Sequence, residues 1–312
     1  MPYDLKKRLV IGLASSALFD LDESDEVFRT QGEKAYREYQ QDQQDLPLKE
    51  GVAFPFVRRL LLLNELNPDD PPVEVILLSR NDPDTGLRVM NSIEHYGLQM
   101  TRAVFLQGTS PYKYIPALDM ELFLSANSTD VNQAVMAGYA AGQILDGNII
   151  DDQDDAQLRI AFDFDGVIAD DASETVYQDS NCVDTFNKHE ESLVDVPHSP
   201  GPLKDFLARI SEIQKMEIKR QEQDASYQPI LRVSIVTARG APAHKRVINT
   251  MRSWDIMVNE AFFMGGVDKS KVLKVMKPHM FFDDQVRHLE SSSSVLPSVH
   301  VPFGVTNAKD GE

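Results

Sequence analysis

The chain reads as an α/β protein of two similar halves, each a parallel sheet covered by helices. Three observations predict this. The stretch Leu158 to Asp171, LRIAFDFDGVIADD, carries an apolar run, Ile160 to Phe162, that ends at Asp163 and Asp165 and then meets Gly166. A strand ending in Asp-x-Asp delivers two acids to the crevice beyond the carboxyl ends of an open sheet, where ligands bind. Short apolar runs also alternate with helical patterns along the chain, and the second half repeats the first.

In chain order, Arg8 to Leu13 reads as a buried strand and Glu26 to Gln40 as a helix. The polar tract Gln40 to Asp45 reads as a surface loop, and Phe56 to Leu66 as a helix ended by NPDDPP. Val73 to Leu78 is a predicted strand, Gly86 to Tyr96 a helix, and Ala103 to Leu106 and Leu122 to Leu124 strands. Asn132 to Leu145 reads as one further helix, and DGNIIDDQDDAQ as a linker, which divides the chain at 150/151. Between Ala169 and Pro200 lies extra chain with a helical stretch, Ser173 to Glu191, suited to a small cap. Ser291 to Ser294 reads as a flexible loop and Thr306 to Glu312 as a frayed tail.

Composition bounds the function. At 312 residues the chain can bury a large core, and length suggests about two domains. A net charge of −18 argues against nucleic acid and anionic membranes as partners, so an anionic ligand needs a local cation. The one cysteine, Cys182, excludes an internal disulfide, fits a reducing cytoplasm and implies no base partner. No run reaches the roughly 18 apolar residues that span a bilayer. Lys6, Lys7 and Arg8 before LVIGLASSALF imitate a secretion signal, but the repeat gives that stretch a structural role.

The repeat is gapless over a long span. Aligning Ser79 with Thr237 (237 − 79 = 158) pairs Arg88 with Arg246, Asn91 with Asn249, Gly108 with Gly266 and Phe123 with Phe281. Near the front an offset of 149 (158 − 9) pairs Leu9 with Leu158, Ile11 with Ile160 and Ser24 with Ser173. The differences carry the information: Ala14 and Ser16 stand where Asp163 and Asp165 are, Pro111 where Lys269 is, and Ser125 and Ala126 where Asp283 and Asp284 are. The first half therefore reads as scaffold, with or without a share in shaping the substrate pocket.

Four strand-end signals of the second half converge. Asp163 and Asp165 follow one strand, Thr237 ends VSIV, Lys269 lies after AFFMGG, and Asp283 and Asp284 follow MFF. In a parallel sheet these ends open on one edge. Several carboxylates at one spot need a cation, and hard oxygen ligands beside phosphate oxygens suit Mg²⁺. One acid then serves as nucleophile and another as proton donor, with a lysine and a hydroxyl holding the phosphate.

DFDGV, a strand-end threonine, a lysine and FFDD resemble the four ordered motifs of the haloacid dehalogenase superfamily. More closely, SPGPLKDFL, VTAR and KPHMFFDDQ, with GVAFPFV and NSIEHYGL in the first half, resemble the cytosolic 5′-nucleotidase type I family over nearly the whole chain. The resemblance implies a HAD-like Rossmannoid parallel sheet with a small helical cap at about 169–200, preceded by a degenerate HAD-like repeat at 1–150. It implies an Mg²⁺-dependent cytoplasmic phosphomonoesterase acting on nucleoside 5′-monophosphates through an aspartyl phosphate. By position, Asp163 matches the nucleophile, Asp165 the general acid, and Thr237 and Lys269 the phosphate ligands. Asp283, Asp163 and the Asp165 carbonyl match the Mg²⁺ ligands, with Asp284 supporting them. Lys271 lies near, but the nine-residue step from Lys269 to Pro278 favours Lys269. Phe164 departs from the glycine that some members carry.

Ala238 and Arg239 follow Thr237, and Arg239 is either a phosphate ligand or a partner for an acid. Phe186 could stack on a base, and His189 or Glu190 could bond to sugar or base, as an FxxHE segment of the family implies; the plainer reading makes Phe186 cap core and His189 a surface residue. Other readings stay open: a phosphatase or phosphotransferase for another small phosphomonoester, or an inactive nucleotide-binding module. The apolar first half also permits a homo-oligomer.

Overall fold

The computed structural model describes residues 3–147, 151–152, 154–294, 296–305 and 307. The chain divides into two compact units, Met1–Tyr139 and Ala140–Glu312.

In the first unit β1 (Leu9–Leu13) leads through α1 (Ser15–Leu18), β2 (Phe19–Asp20), α2 (Asp22–Asp42) and β3 (Lys49–Glu50) to α3 (Phe54–Leu62). It continues as β4 (Val73–Ser79), α4 (Leu87–His95), β5 (Arg102–Phe105), β6 (Leu122–Ser125) and α5 (Ser128–Met136). Its main sheet runs β6-β1-β4-β5, all parallel. Every residue of β1 and β4 is buried, which explains their unbroken apolar character: a parallel strand covered on both faces has no solvent side to alternate with.

The second unit begins with β7 (Ala141–Ile144) and β8 (Leu158–Phe162), followed by α6 (Ala172–Ser180), α7 (Val183–Ser192) and α8 (Lys204–Gln223). Then come β9 (Leu231–Thr237), α9 (His244–Ser253), β10 (Glu260–Phe263), α10 (Ser270–Met276), β11 (Met280–Asp283), α11 (Val286–Ser293) and β12 (Ser298–His300). The strand order is β10-β9-β8-β11-β12-β7, parallel except for β7 against β12. Here β11-β8-β9-β10 repeats the order and direction of β6-β1-β4-β5 in the first unit.

Alternate residues of the central strands feed two cores. Phe162 stacks on Phe282 at 5.0 Å, and both meet Phe206 of α8 at 6.0 Å. Ala161, Phe281 and Val236 pack instead with Leu273 of α10 and Leu289 of α11. Burying a large apolar side chain contributes roughly 1.5–3 kcal/mol, so these layers fix the strand register that carries the acids.

Several expected elements differ. Residues 132–145 are not one helix: α5 ends at Met136, Gly138 takes a left-handed φ of 84°, and β7 follows, with Ile144 paired to Val299. Glycine past a helix end is the usual stop, and β7 moves the unit boundary from 150/151 to 139/140. Residues 40–42 are helical rather than loop; Gln40 is buried and accepts from Arg88 at 3.3 Å. The cap stretch is two helices broken at Asn181, whose φ is 46°, and it is not unique to the second unit. Its counterpart is α2, which breaks at Gly32 with φ 81°. Ser291 to Ser293 belong to α11, where Ser292 is buried. The 20-residue α8 is an element the sequence pattern did not single out. Parts of the expected linker and, Asn307 aside, the expected tail lie outside the described residues.

Candidate active site

Strand direction builds the site. β8 lies between β9 and β11, both parallel to it, so all three carboxyl ends open on one edge. Asp163, the first residue beyond β8, donates its N–H to the Phe282 carbonyl at 2.8 Å, which ties its backbone to β11. Thr237 is the last residue of β9 and is buried; its hydroxyl accepts from the Arg239 N–H at 3.2 Å. Asp283 ends β11, and Lys269 precedes α10.

The Lys269 ammonium lies 2.7 Å from Asp163 Oδ2 and 2.7 Å from Asp283 Oδ2, with all three residues buried. Lys271 is exposed, so it is Lys269 that occupies the crevice. Burial pushes the Asp163 carboxyl up to about 7, against the pull of Lys269 and with Asp283 and Asp165 adding repulsion. Asp283 moves the other way: burial opposes its charge, but Lys269 and His288 outweigh burial and hold it below the ordinary carboxylate range. Lys269 is also disfavoured by burial, yet the two carboxylates raise it above its ordinary value.

Gly166 has φ 71°, and a Cβ built there would lie 2.6 Å from Asp284 Cγ. That close approach lets the loop after β8 sit against the buried acid after β11, which explains why glycine follows the two acids. Asp284 is also held through its carbonyl by Asn307 Nδ2 at 3.0 Å. Phe164 is fully buried with its ring 5.2 Å from that of His198.

Arg239 is not an open cation. Its Nε donates to Asp165 Oδ2 at 2.7 Å and one amino group to Asp165 Oδ1 at 2.6 Å, while the other amino group donates to Glu190 of α7. Of the two sequence readings for Arg239, the geometry supports the acid partner. Glu190, raised as a sugar or base contact, is likewise enclosed among Arg239, Arg246, Ser173 and His198. Phe186 lies over the Arg239 guanidinium at 5.2 Å and meets Tyr177 edge to face, so it sits at the cap–crevice junction. His189 is partly exposed beside Glu190, and Ala238 is exposed at the end of β9.

The sequence pattern missed His288. Its Nδ1 lies 3.2 Å from both Asp283 oxygens, and among the described residues Asp163, Asp283 and His288 form a group whose ligand atoms lie within 4.8 Å of one another. It sits on α11, one turn beyond FFDDQ, where the motif's own pattern ends. The donors fit a hard divalent cation: two buried carboxylates share one ammonium, leaving an excess of negative charge. A histidine that hydrogen-bonds a ligating carboxylate belongs to the supporting layer of such a site.

In the first unit the matching crevice holds no acid at those positions. Ser15 and Ser79 hydroxyls pair at 3.1 Å, and Arg80 forks onto the buried Asp130 at 2.9 and 2.6 Å.

The family model described as 5′-nucleotidase matches residues 1–308. The chain is similar to human cytosolic 5′-nucleotidase 1B, 34% identical over 293 residues, which is 92% of this chain and 47% of the relative. It therefore spans about half the length of that relative. No solved structure matches. Among the described residues no helix is long and apolar enough to cross a membrane.

Proposed function

This chain belongs to the 5′-nucleotidase family, and from that premise we propose that it hydrolyses nucleoside 5′-monophosphates, of AMP or IMP type, to nucleoside and phosphate in the cytoplasm. The observation that carries the reading is the buried ammonium of Lys269 held at 2.7 Å between Asp163 and Asp283 at the sheet edge. That ammonium, with the divalent cation the two acids would hold, supplies the local positive charge that a phosphate needs on this acidic chain.

Asp163 attacks phosphorus through a carboxylate oxygen, the bond from phosphorus to the 5′ oxygen breaks, and Asp165 delivers a proton to the departing alkoxide. Asp165 then takes a proton from water as the water oxygen attacks phosphorus, and the bond to Asp163 breaks. Thr237 and Lys269 hold the remaining phosphate oxygens with Ala238 beside Thr237, Arg239 orients Asp165, and Phe186 and His189 meet the sugar and base. Asp163, Asp283 and the Asp165 carbonyl would hold Mg²⁺, with Asp284 and His288 supporting them. Mg²⁺, when bound, neutralises phosphate charge and orients it for in-line attack.

The test is phosphate release from nucleoside 5′-monophosphates, nucleoside 3′-monophosphates and sugar phosphates by the purified chain, with and without Mg²⁺. Release confined to 5′-monophosphates and dependent on Mg²⁺ is expected. No release from any nucleotide, or equal rates with sugar phosphates, would refute the reading.

A further inference from the structure

Glu190 stands outside the reaction steps above, yet it is among the most enclosed charges in the second unit, 1% exposed. Its Oε1 accepts from the Ser173 hydroxyl at 2.8 Å and from Arg246 at 2.9 Å; its Oε2 accepts from Arg239 and lies 3.3 Å from His198 Nε2. Arg239, 4% exposed, lies with its guanidinium carbon 5.5 Å from the Phe164 ring centre and 5.2 Å from that of Phe186, and turns its remaining nitrogens onto both oxygens of Asp165. A planar guanidinium gripped at one amino group holds the rest of its fork in a fixed direction.

Buried ion pairs carry a large desolvation cost and are weak evidence of stability, so these charges need another reason to be there. The first unit supplies the control. Its α2 docks through the same bonds as the cap hairpin: Arg88 Nε to the Leu46 carbonyl at 3.0 Å matches Arg246 Nε to Val196 at 2.9 Å, and Asn91 to Gln44 matches Asn249 to Val194, both at 3.0 Å. The Leu48 N–H to Ser92 bond, 2.9 Å, matches His198 N–H to Thr250, 3.1 Å. At the matching positions, however, Gln40 replaces Glu190, Asn81 replaces Arg239, Leu48 replaces His198 and Ser16 replaces Asp165. The first unit's hairpin therefore docks with no charge at the positions of Glu190 and Arg239, its own ion pair running from Arg37 to Asp82 at 2.8 Å. The charges at those two positions are present in the unit that has Asp165 and missing from the unit that lacks it.

We propose that Glu190 is a positioning residue: through Arg239 it sets the direction of the Asp165 carboxylate, so that docking of the cap hairpin and alignment of the acid are one event. The proposal rests on the reading of Asp165 as the proton donor to the leaving group. It assigns Glu190 no contact with base or sugar.

The experiment measures leaving-group release in single turnover, with Mg²⁺ and saturating enzyme, from AMP and from p-nitrophenyl phosphate, whose phenolate leaves without a proton. General acid–base transfer contributes about 10²–10⁴-fold, so Glu190→Gln, the residue the first unit carries, is expected to slow adenosine release about 10- to 100-fold. Release of p-nitrophenolate is expected to slow less than about threefold, because no proton transfer is lost there. Glu190→Asp, which keeps the charge, recovers part of the AMP rate. Ser173→Ala, which removes only one bond to Glu190, gives the same ordering at smaller size and carries the test where Glu190→Gln does not fold. Equal losses on the two substrates, or no loss on either, overturn the positioning role. A wild-type chain that releases neither leaving group overturns the nucleotidase reading instead.

Discussion

Replacing Asp163 by asparagine is expected to abolish turnover and at the same time stabilise the metal-free protein. The carboxyl is 3% exposed and is displaced by burial from 3.8 to about 7. At about 1.4 kcal/mol per pH unit, ionising it in the fold costs about 4 kcal/mol. The amide avoids that cost, and the displacement to about 7 already counts the pull of Lys269, so the net gain is about 4 kcal/mol at most. Its size depends on pH: the folded carboxyl titrates above the unfolded one, so the wild type loses stability as pH rises from about 4 to about 7 and stays low above that. The advantage of Asp163→Asn is thus full at pH 8 and small near pH 4.5. Thermal unfolding in EDTA at both pH values, beside phosphate release from AMP with Mg²⁺, measures both halves of the expectation. Turnover near the wild-type rate would refute the nucleophile assignment, and a variant less stable than wild type at pH 8 would refute the electrostatic account.

Three further outcomes are expected. Gly166→Ala places a methyl group 2.6 Å from Asp284 Cγ at a φ of 71°, so activity falls at least about 100-fold while circular dichroism keeps its helical signal. Mg²⁺ raises the melting temperature of the wild type, and Asp283→Asn, which removes one of the two bridged carboxylates, cuts that rise by more than half in a titration followed by scanning calorimetry. Glu190 titrates below its ordinary range: burial opposes its charge, but His198, Arg239 and Ser173 outweigh burial. Its stabilisation is then present above the unfolded carboxyl's ordinary value and lost as pH falls below it, so urea unfolding from pH 6 to pH 3 should lose stability less steeply in Glu190→Gln than in wild type.

The acids at the strand ends were legible because a parallel core strand is an apolar run, and its carboxyl end is where the run stops; Asp163, Thr237 and Asp283 each stand at such a stop. The loop lysine was legible by spacing from the next motif. Gln40 was misread because a polar residue in a polar tract looks solvated, whereas its burial depends on Arg88, 48 residues away. β7 was hidden for a similar reason: four residues make no period, and its pairing partner Val299 lies 155 residues further on (299 − 144). His288 carried no signal of its own, since a histidine one turn into a helix is ordinary until Asp283 is seen 3.2 Å from its ring.

The two units together separate what builds a crevice from what arms it. Both have the same strand order, the same broken helix over the edge and the same hairpin bonds, so the backbone scheme does not need the acids. Where Asp163, Asp165, Lys269 and Asp283 are replaced by Ala14, Ser16, Pro111 and Ser125, the crevice loses its excess of buried negative charge and the desolvation cost that goes with it. An Arg80–Asp130 pair and two hydroxyls suffice there. In the second unit the costly charges are retained at every corresponding position, and the extra ones, Glu190 and Arg239, lie in line with Asp165. Charges that the first unit's crevice lacks at the same positions lie together on one edge of the second, and Glu190→Gln, which puts the side chain of Gln40 into that line, asks whether the chemistry depends on the cap.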